Sequence, residues 1–441
     1  MNIAHTALFP SIALVKLPDD WSDRQRIADA CILALFVVAL ANISTYVVTM
    51  HPRPFAADFY YFYGAGKAWI SFASPYSDAF AEVFRNYAQT DPHVAHFDSL
   101  RNHDGLDKEF PYPPNSIVLV FWLGLFEPAG ASLFWAVMNI IALAYASYAF
   151  AKLTQRLNIP LSMFGAIAIH ISLISLVWAS GEVIMSAGAT TFVTYAGALA
   201  AIEGACAKSQ KKIAIGVLLC LLKPQIGLPI VLILLMRQDC RNAAFIGVAA
   251  TVALCFIGLI PDAPQSPFLF LESLKAYNAY PENSMLHLSG LSFVIDYFFG
   301  IELSSFVLLG LASIATIAIT YRHIQNDHLG DATALLRTAM ISSIGFLLLF
   351  PSHNNYYIML VPVLLLMKDM SNRMRALTGI CLLMNAFAFP VSIALENTGV
   401  GYIVYTAAMI DTIAIIALSA AFFFCFGRQD LLSPLPNIRA S

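Results

Sequence analysis

Charge is what this chain has least of. Of its 441 residues, 12% are Asp, Glu, Lys or Arg, roughly half the ~25% of ordinary soluble domains. The two signs nearly cancel, 27 acidic against 24 basic for a net charge of −3, so the totals predict no nucleic-acid partner. A cysteine framework is also missing. The seven cysteines (Cys31, Cys206, Cys220, Cys240, Cys255, Cys381, Cys425) fall in apolar segments or at their basic ends, and none falls in the two long polar loops. Without Cys-x-x-Cys or Cys/His spacing, the sequence argues against a disulfide scaffold and against structural zinc. No internal repeat of the inverted-transporter kind stands out.

What the chain has in abundance is apolar length. Hydrophobic residues make up 59% of it and the mean hydropathy is +0.72. Apolar segments recur from about residue 28 to residue 426, and several approach the roughly 20 residues needed to cross a bilayer. The reading is an all-α, polytopic transmembrane bundle of about 11–13 spans, one integral-membrane domain over 1–441. The first apolar run, about 22 residues, is longer than a signal-peptide core and is read as a retained anchor. Lys16, Arg24 and Arg26 precede it and place segment 1–27 in the cytoplasm. Short basic connections (Lys208/Lys211/Lys212, Arg237/Arg241, Arg322, Lys368/Arg373/Arg375) belong on that side too. That leaves the polar stretches 51–112 and 261–290 as outer loops and 427–441 as a cytoplasmic tail.

One segment breaks the pattern. "KKIAIGVLLCLLKPQIGLPIVLILLMR" is basic at both ends and interrupted by Lys223-Pro224. About 24 apolar residues cannot cross twice as ideal helices. Basic flanks on both sides favour a hairpin of two half-helices with Lys223 at its tip, an arrangement tolerated where it lines a wet cavity. The Pro-led "FPYPPNSIVLVFWLGLF" is short as well and suits an interfacial position.

On this topology four polar spots share the outer face. Asp58 sits among Phe59, Tyr60, Tyr61 and Tyr63, which fit an aromatic belt and a lipid-surface active site about equally. Glu182 lies in the tight "SGEVIMSAG". Lys223 is an ionisable group within an apolar hairpin, a functional candidate by default. "FPSHNNYYIMLVP" crowds His353, Asn354, Asn355, Tyr356 and Tyr357 into one turn, suited to sugar hydroxyls, a phosphate or helix capping alike. Asp411 and His170 lie within spans, where helix-to-helix hydrogen bonding is the expected role. A carboxylate, a cation and aromatics at one face suit sugar transfer from a polyprenyl phosphate: a base for the acceptor hydroxyl, and positive charge or donors where the leaving phosphate gains charge. A transporter or flippase for lipid-linked saccharides is the rival class. It would spread polar residues through the spans instead of gathering them at one face.

The order "ADFYYFYGAGKAWISFASPYSDAF", "FPYPPNSIVLVFWLGLFEP", "SGEVIM", "LLKPQIGLPIVLILLMR" and "PSHNNYYIMLVPVL", spread over residues 58 to 363, resembles glycosyltransferase family 87. The resemblance implies a GT-C fold with a long first outer loop bearing short juxtamembrane helices. It implies inverting transfer from a polyprenyl-phosphate sugar, mannose in the type members, to a glycolipid or glycan acceptor. It also implies a multi-pass protein of the bacterial inner membrane, in contact with membrane lipids, whose site faces the periplasm. Carried over by position, Asp58 corresponds to the catalytic base. Lys223, with His353 and Tyr357, would meet the donor phosphate. Tyr61, Tyr76, Asp78, Glu182, Gln225 and Asn354 would form the substrate site. The chain departs from the family in carrying Gly181-Glu182 where Gly-Gln is usual. It also lacks an Asp-x-Asp near Asp58, so no cofactor and no metal is the expectation.

Overall fold

The computed structural model describes residues 23–50, 57–88, 110–178, 189–278, 288–325, 331–397, 403–423 and 425. Among these residues the protein is all-α, with no strand beyond an isolated antiparallel bridge between Ser289 and Ser352. In chain order the helices are α1 (Asp23–Met50), α2 (Ala57–Ile70), α3 (Asp78–Ala88), α4 (Pro114–Val120), α5 (Pro128–Arg156), α6 (Met163–Ser172) and α7 (Thr191–Cys206). There follow α8 (Gln210–Cys220), α9 (Pro224–Met236), α10 (Gln238–Gly258), α11 (Ser266–Asn278), α12 (Leu291–Phe299), α13 (Ser305–Gln325) and α14 (Ala332–Leu349). The last are α15 (Val363–Leu366), α16 (Asn372–Asn397) and α17 (Ile403–Phe422).

Four of the described helices are long and apolar enough to cross a membrane: α5, α10, α14 and the Ser305–Arg322 part of α13. Other apolar helices are shorter, and proline accounts for some of this. Pro114 opens α4, which gives way after seven residues to a 3₁₀ turn, Phe121–Leu125. The apolar run near 356–367 is likewise split between a 3₁₀ segment, Asn354–Leu360, and the four-residue α15.

The break at Lys223-Pro224 has a direct steric cause. Proline disfavours the α conformation in the residue before it, and Lys223 is extended at φ −125°, ψ 93°. Helix α8 therefore stops at Cys220 and α9 restarts with Pro224 in its first turn. At ~1.5 Å rise per residue these helices are about 16 and 20 Å long, short of the ~30 Å hydrocarbon core. They form a hairpin. Gln210 at the start of α8 donates to the carbonyl of Asp239, just past the end of α9, at 2.9 Å. Gly227 lies so close to the Cys220 carbonyl that only a residue without Cβ fits between the two arms.

The basic end of the hairpin is tied to its neighbours. Buried Glu203 of α7 receives Lys212 at 2.7 Å and Arg156 at 3.3 Å, and Arg237 pairs with Asp239 at 2.7 Å. Within the bundle His170 of α6 is fully buried between Ser147 Oγ of α5 and Tyr195 OH of α7, each at 2.8 Å. Asn385 Nδ2 of α16 donates to Asp411 Oδ1 of α17 at 2.7 Å. Both intramembrane groups thus join helices to one another.

Two apolar cores result. The larger joins α5, α7, α8, α9, α14 and the 354–366 segment. The smaller is aromatic and joins α2, α3, residues 110–123 and the start of α5 through Phe59, Phe62, Tyr63, Phe80, Phe110 and Trp135. The aromatic run beside Asp58 is therefore packed interior and not an exposed aromatic belt. Helix α2 meets the Phe121–Leu125 turn at Gly66 and Gly124, where a Cβ on Gly124 would stand 2.6 Å from the Gly66 carbonyl carbon. That close crossing anchors the helix that carries Asp58.

Candidate active site

The tip of the hairpin opens into a cavity of about 480 Å³. Most of its polar groups come from four separate parts of the chain. Helix α2 brings Asp58 in its first turn, the proline-rich strap 111–113 brings Tyr112, the hairpin brings Lys223 and Gln225, and the 350–356 turn brings His353, Asn355 and Tyr356. Phe270, Leu274, Phe306 and Leu309 of α11 and α13 supply an apolar wall, and Glu302 stands on the exposed rim.

Lys223 is only 5% exposed. Its ammonium donates to Thr191 Oγ1 at 2.9 Å. It also lies 5.8 Å from the Tyr112 ring centroid and 5.3 Å from that of Tyr356, a spacing at which the negative faces of the rings attract it. Among the described residues it forms no direct ion pair. A buried cation held by a hydroxyl and two rings keeps most of its charge uncompensated, which favours an incoming anion.

Asp58 is half-buried at the cavity. Burial raises its carboxyl above the usual range, while the Lys223 charge and a hydrogen bond from Tyr112 pull it part of the way back. The Tyr112 phenol is driven well above its ordinary range, by burial first and then by the nearby Asp58 charge, so it stays protonated and acts as the donor. Burial, with the Lys223 charge second, lowers His353 to about 4. At neutral pH its imidazole is uncharged and offers a donor and an acceptor. The carbonyl oxygens of Gln225 (Oε1) and Asn355 (Oδ1) are buried with no hydrogen-bond partner among the described residues. Unsatisfied buried acceptors of this kind call for donors from a bound molecule.

Of the residues singled out from sequence, Asp58, Lys223, Gln225 and His353 come together here. Tyr61, Tyr76, Asp78 and Tyr357 do not line the cavity. Tyr61 is buried and stacks on Phe80 with centroids 6.2 Å apart and rings 2° from parallel. Tyr76 is buried one layer behind, its hydroxyl donating to the Tyr112 carbonyl at 2.9 Å. Asp78 is exposed in the first turn of α3. Tyr357 turns away from the cavity and donates to Ser289 Oγ at 2.7 Å, on the bridge that ties residue 289 to residue 352. Glu182 lies outside the described residues, as does the side chain of Asn354.

Sequence reasoning named Asn355 and Tyr356 within the 353–357 turn without giving either a role, and Tyr112 stood unnamed in a stretch it had marked. Thr191 carried no signal at all. Among the described residues no group of three or more His, Cys, Asp or Glu could hold a metal ion.

Residues 110–351, more than half of the chain, match Glycosyltransferase family 87. The matched segment contains Tyr112, Lys223 and Gln225. It begins after Asp58 and ends two residues before His353, which the cavity adds to it. No curated protein matches the chain.

Proposed function

This chain belongs to glycosyltransferase family 87, and from that premise we propose that it moves a hexose such as mannose from a polyprenyl-phosphate donor to a hydroxyl of a glycolipid or glycan, with inversion. The observation that carries this reading is the meeting of Asp58 and Lys223 in one cavity that also has an apolar wall. The acceptor O–H gives its proton to the Asp58 carboxylate as its oxygen bonds to the anomeric carbon. The bond from that carbon to the phosphate oxygen breaks on the opposite side, and its electron pair leaves with the phosphate, beside the Lys223 ammonium. Neutral His353 adds a donor there. Gln225 Oε1 and Asn355 Oδ1 accept from sugar hydroxyls and hold the ring in line for attack. Phe270, Leu274, Phe306 and Leu309 receive the first isoprene units.

The charge count supports a single phosphate: Lys223 is the one lysine or arginine among the described cavity residues, against the carboxylates of Asp58 and Glu302. In this reading Lys223 stabilises the leaving group and no metal is called on. The protein would be a GT-C bundle in a bacterial inner membrane with its cavity facing outward. This is supported by the cavity's place at the hairpin tip, at the other end of α8 from the Lys212–Glu203–Arg156 cluster. Purified protein given radiolabelled polyprenyl-phosphate mannose and a membrane lipid extract should yield a labelled glycolipid or glycan. If no polyprenyl-phosphate hexose is used, and vesicles containing the protein move lipid-linked saccharide across the bilayer, the transporter class takes over. For orientation, a cysteine at the cavity rim (Glu302→Cys) should react with an impermeant thiol reagent on intact cells. Reaction only after permeabilisation would reverse the topology.

A further inference from the structure

Tyr112 touches both charged groups of the cavity. Its phenol is placed beside the Asp58 carboxylate, which lines the same cavity one helical turn before the Phe62 ring that Tyr112 packs on, and its ring faces the Lys223 ammonium at 5.8 Å. The ring is held from behind, packed 4.4 Å from Phe62 and 5.6 Å from Phe110. Its backbone is held too, because Tyr76 OH donates to the Tyr112 carbonyl at 2.9 Å. Prolines at 111 and 113 restrict the strap on either side. We propose that Tyr112 is the positioning residue of this site: its hydroxyl fixes and stabilises the ionised Asp58 carboxylate, its ring holds the Lys223 ammonium, and Tyr76 locks it in place. The proposal rests on the reading of Asp58 as the base.

The physical reason is the spacing of the two charges. Asp58 and Lys223 are close enough to influence one another, yet a direct ion pair would fill the gap that an acceptor hydroxyl and a donor phosphate have to enter. A rigid ring between them keeps each charge stabilised and apart. The titratable and charged groups that face Asp58 are Tyr112 from the strap, Lys223 from the hairpin and Tyr356 from the 350–356 turn. Tyr277 of α11 faces Tyr112, and His353 faces Lys223. Of these, Tyr112 is the one whose approach to the carboxylate is removed by deleting a single oxygen while its ring stays in place.

The test separates this role from simple packing and from the functional reading itself. In purified protein, the infrared band of the protonated Asp58 carboxyl, identified by subtracting the spectrum of Asp58→Asn, is titrated with pH. In Tyr112→Phe the midpoint should rise by about one pH unit or more, because a hydrogen bond to the ionised form is lost. The acid limb of kcat/KM should rise with it, while KM for the donor changes little because the ring remains. Tyr112→Leu, which removes the ring as well, should also raise the donor KM. Tyr76→Phe should move the midpoint the same way by less, and it serves as the main variant if Tyr112→Phe does not fold. An unchanged midpoint in Tyr112→Phe, or in Tyr76→Phe where that variant stands in, overturns the positioning role. Because the infrared midpoint is read without turnover, a failure of the transferase reading would leave this result intact and separately visible.

Discussion

Replacing Asp58 by Asn is expected to cut sugar transfer by about a hundred- to ten-thousand-fold, the range that positioned general bases contribute. The substitution keeps shape and loses only the ability to take a proton, so folding and insertion should be retained. The loss should fall on kcat with donor binding preserved, measured as initial rates in detergent or proteoliposomes across donor concentration. The pH profile supplies the sign. Asp58 must be ionised to work, and burial raises its pKa above the ordinary carboxylate value. Activity should therefore be present above that raised value and fall as pH drops through it, with an acid limb above the usual carboxylate range. Wild-type-like rates in Asp58→Asn would remove the residue from the chemistry.

Lys223→Met should lower kcat by about a hundred- to a thousand-fold, the scale of losing one electrostatic contact to a developing anion. Met approximates the length of the lysine stem, so the tip of the hairpin keeps its packing and the hydrogen bond to Thr191 is what disappears. A second effect distinguishes this variant. The Lys223 charge now draws the Asp58 pKa down, so the residual activity of Lys223→Met should show its acid limb at higher pH than the wild type. Full activity would mean that the ammonium does not act on the phosphate, and an unmoved limb would mean that it does not act on the Asp58 carboxylate.

The chemistry of this site was partly visible one residue at a time. Asp58 drew attention because a carboxylate among aromatic residues is costly without a purpose. Lys223 did so because it interrupts an apolar run. Tyr112 drew none, since a tyrosine beside prolines at a membrane edge is ordinary in a chain this apolar. The neighbouring tyrosines are the clearest case. Tyr356 lines the cavity while Tyr357 bonds to Ser289 behind it. In a 3₁₀ segment successive side chains point about 120° apart, so adjacent residues of one type lead to different surroundings. Composition cannot say which of the two faces inward.

From the sequence alone follow the all-α membrane character, the break at Lys223-Pro224 and the hairpin it forces. Each depends on properties local to the chain: apolar length, basic flanks, and the steric effect of proline on the residue before it. Only the tertiary structure decided that Asp58, Tyr112, Lys223 and His353 face one cavity, and that Tyr61 and Tyr76 lie behind it. That depends on the rotation of each helix and on close crossings such as Gly66 over Gly124. Such crossings are fixed by the fit between surfaces more than fifty residues apart, and no window along the chain contains both.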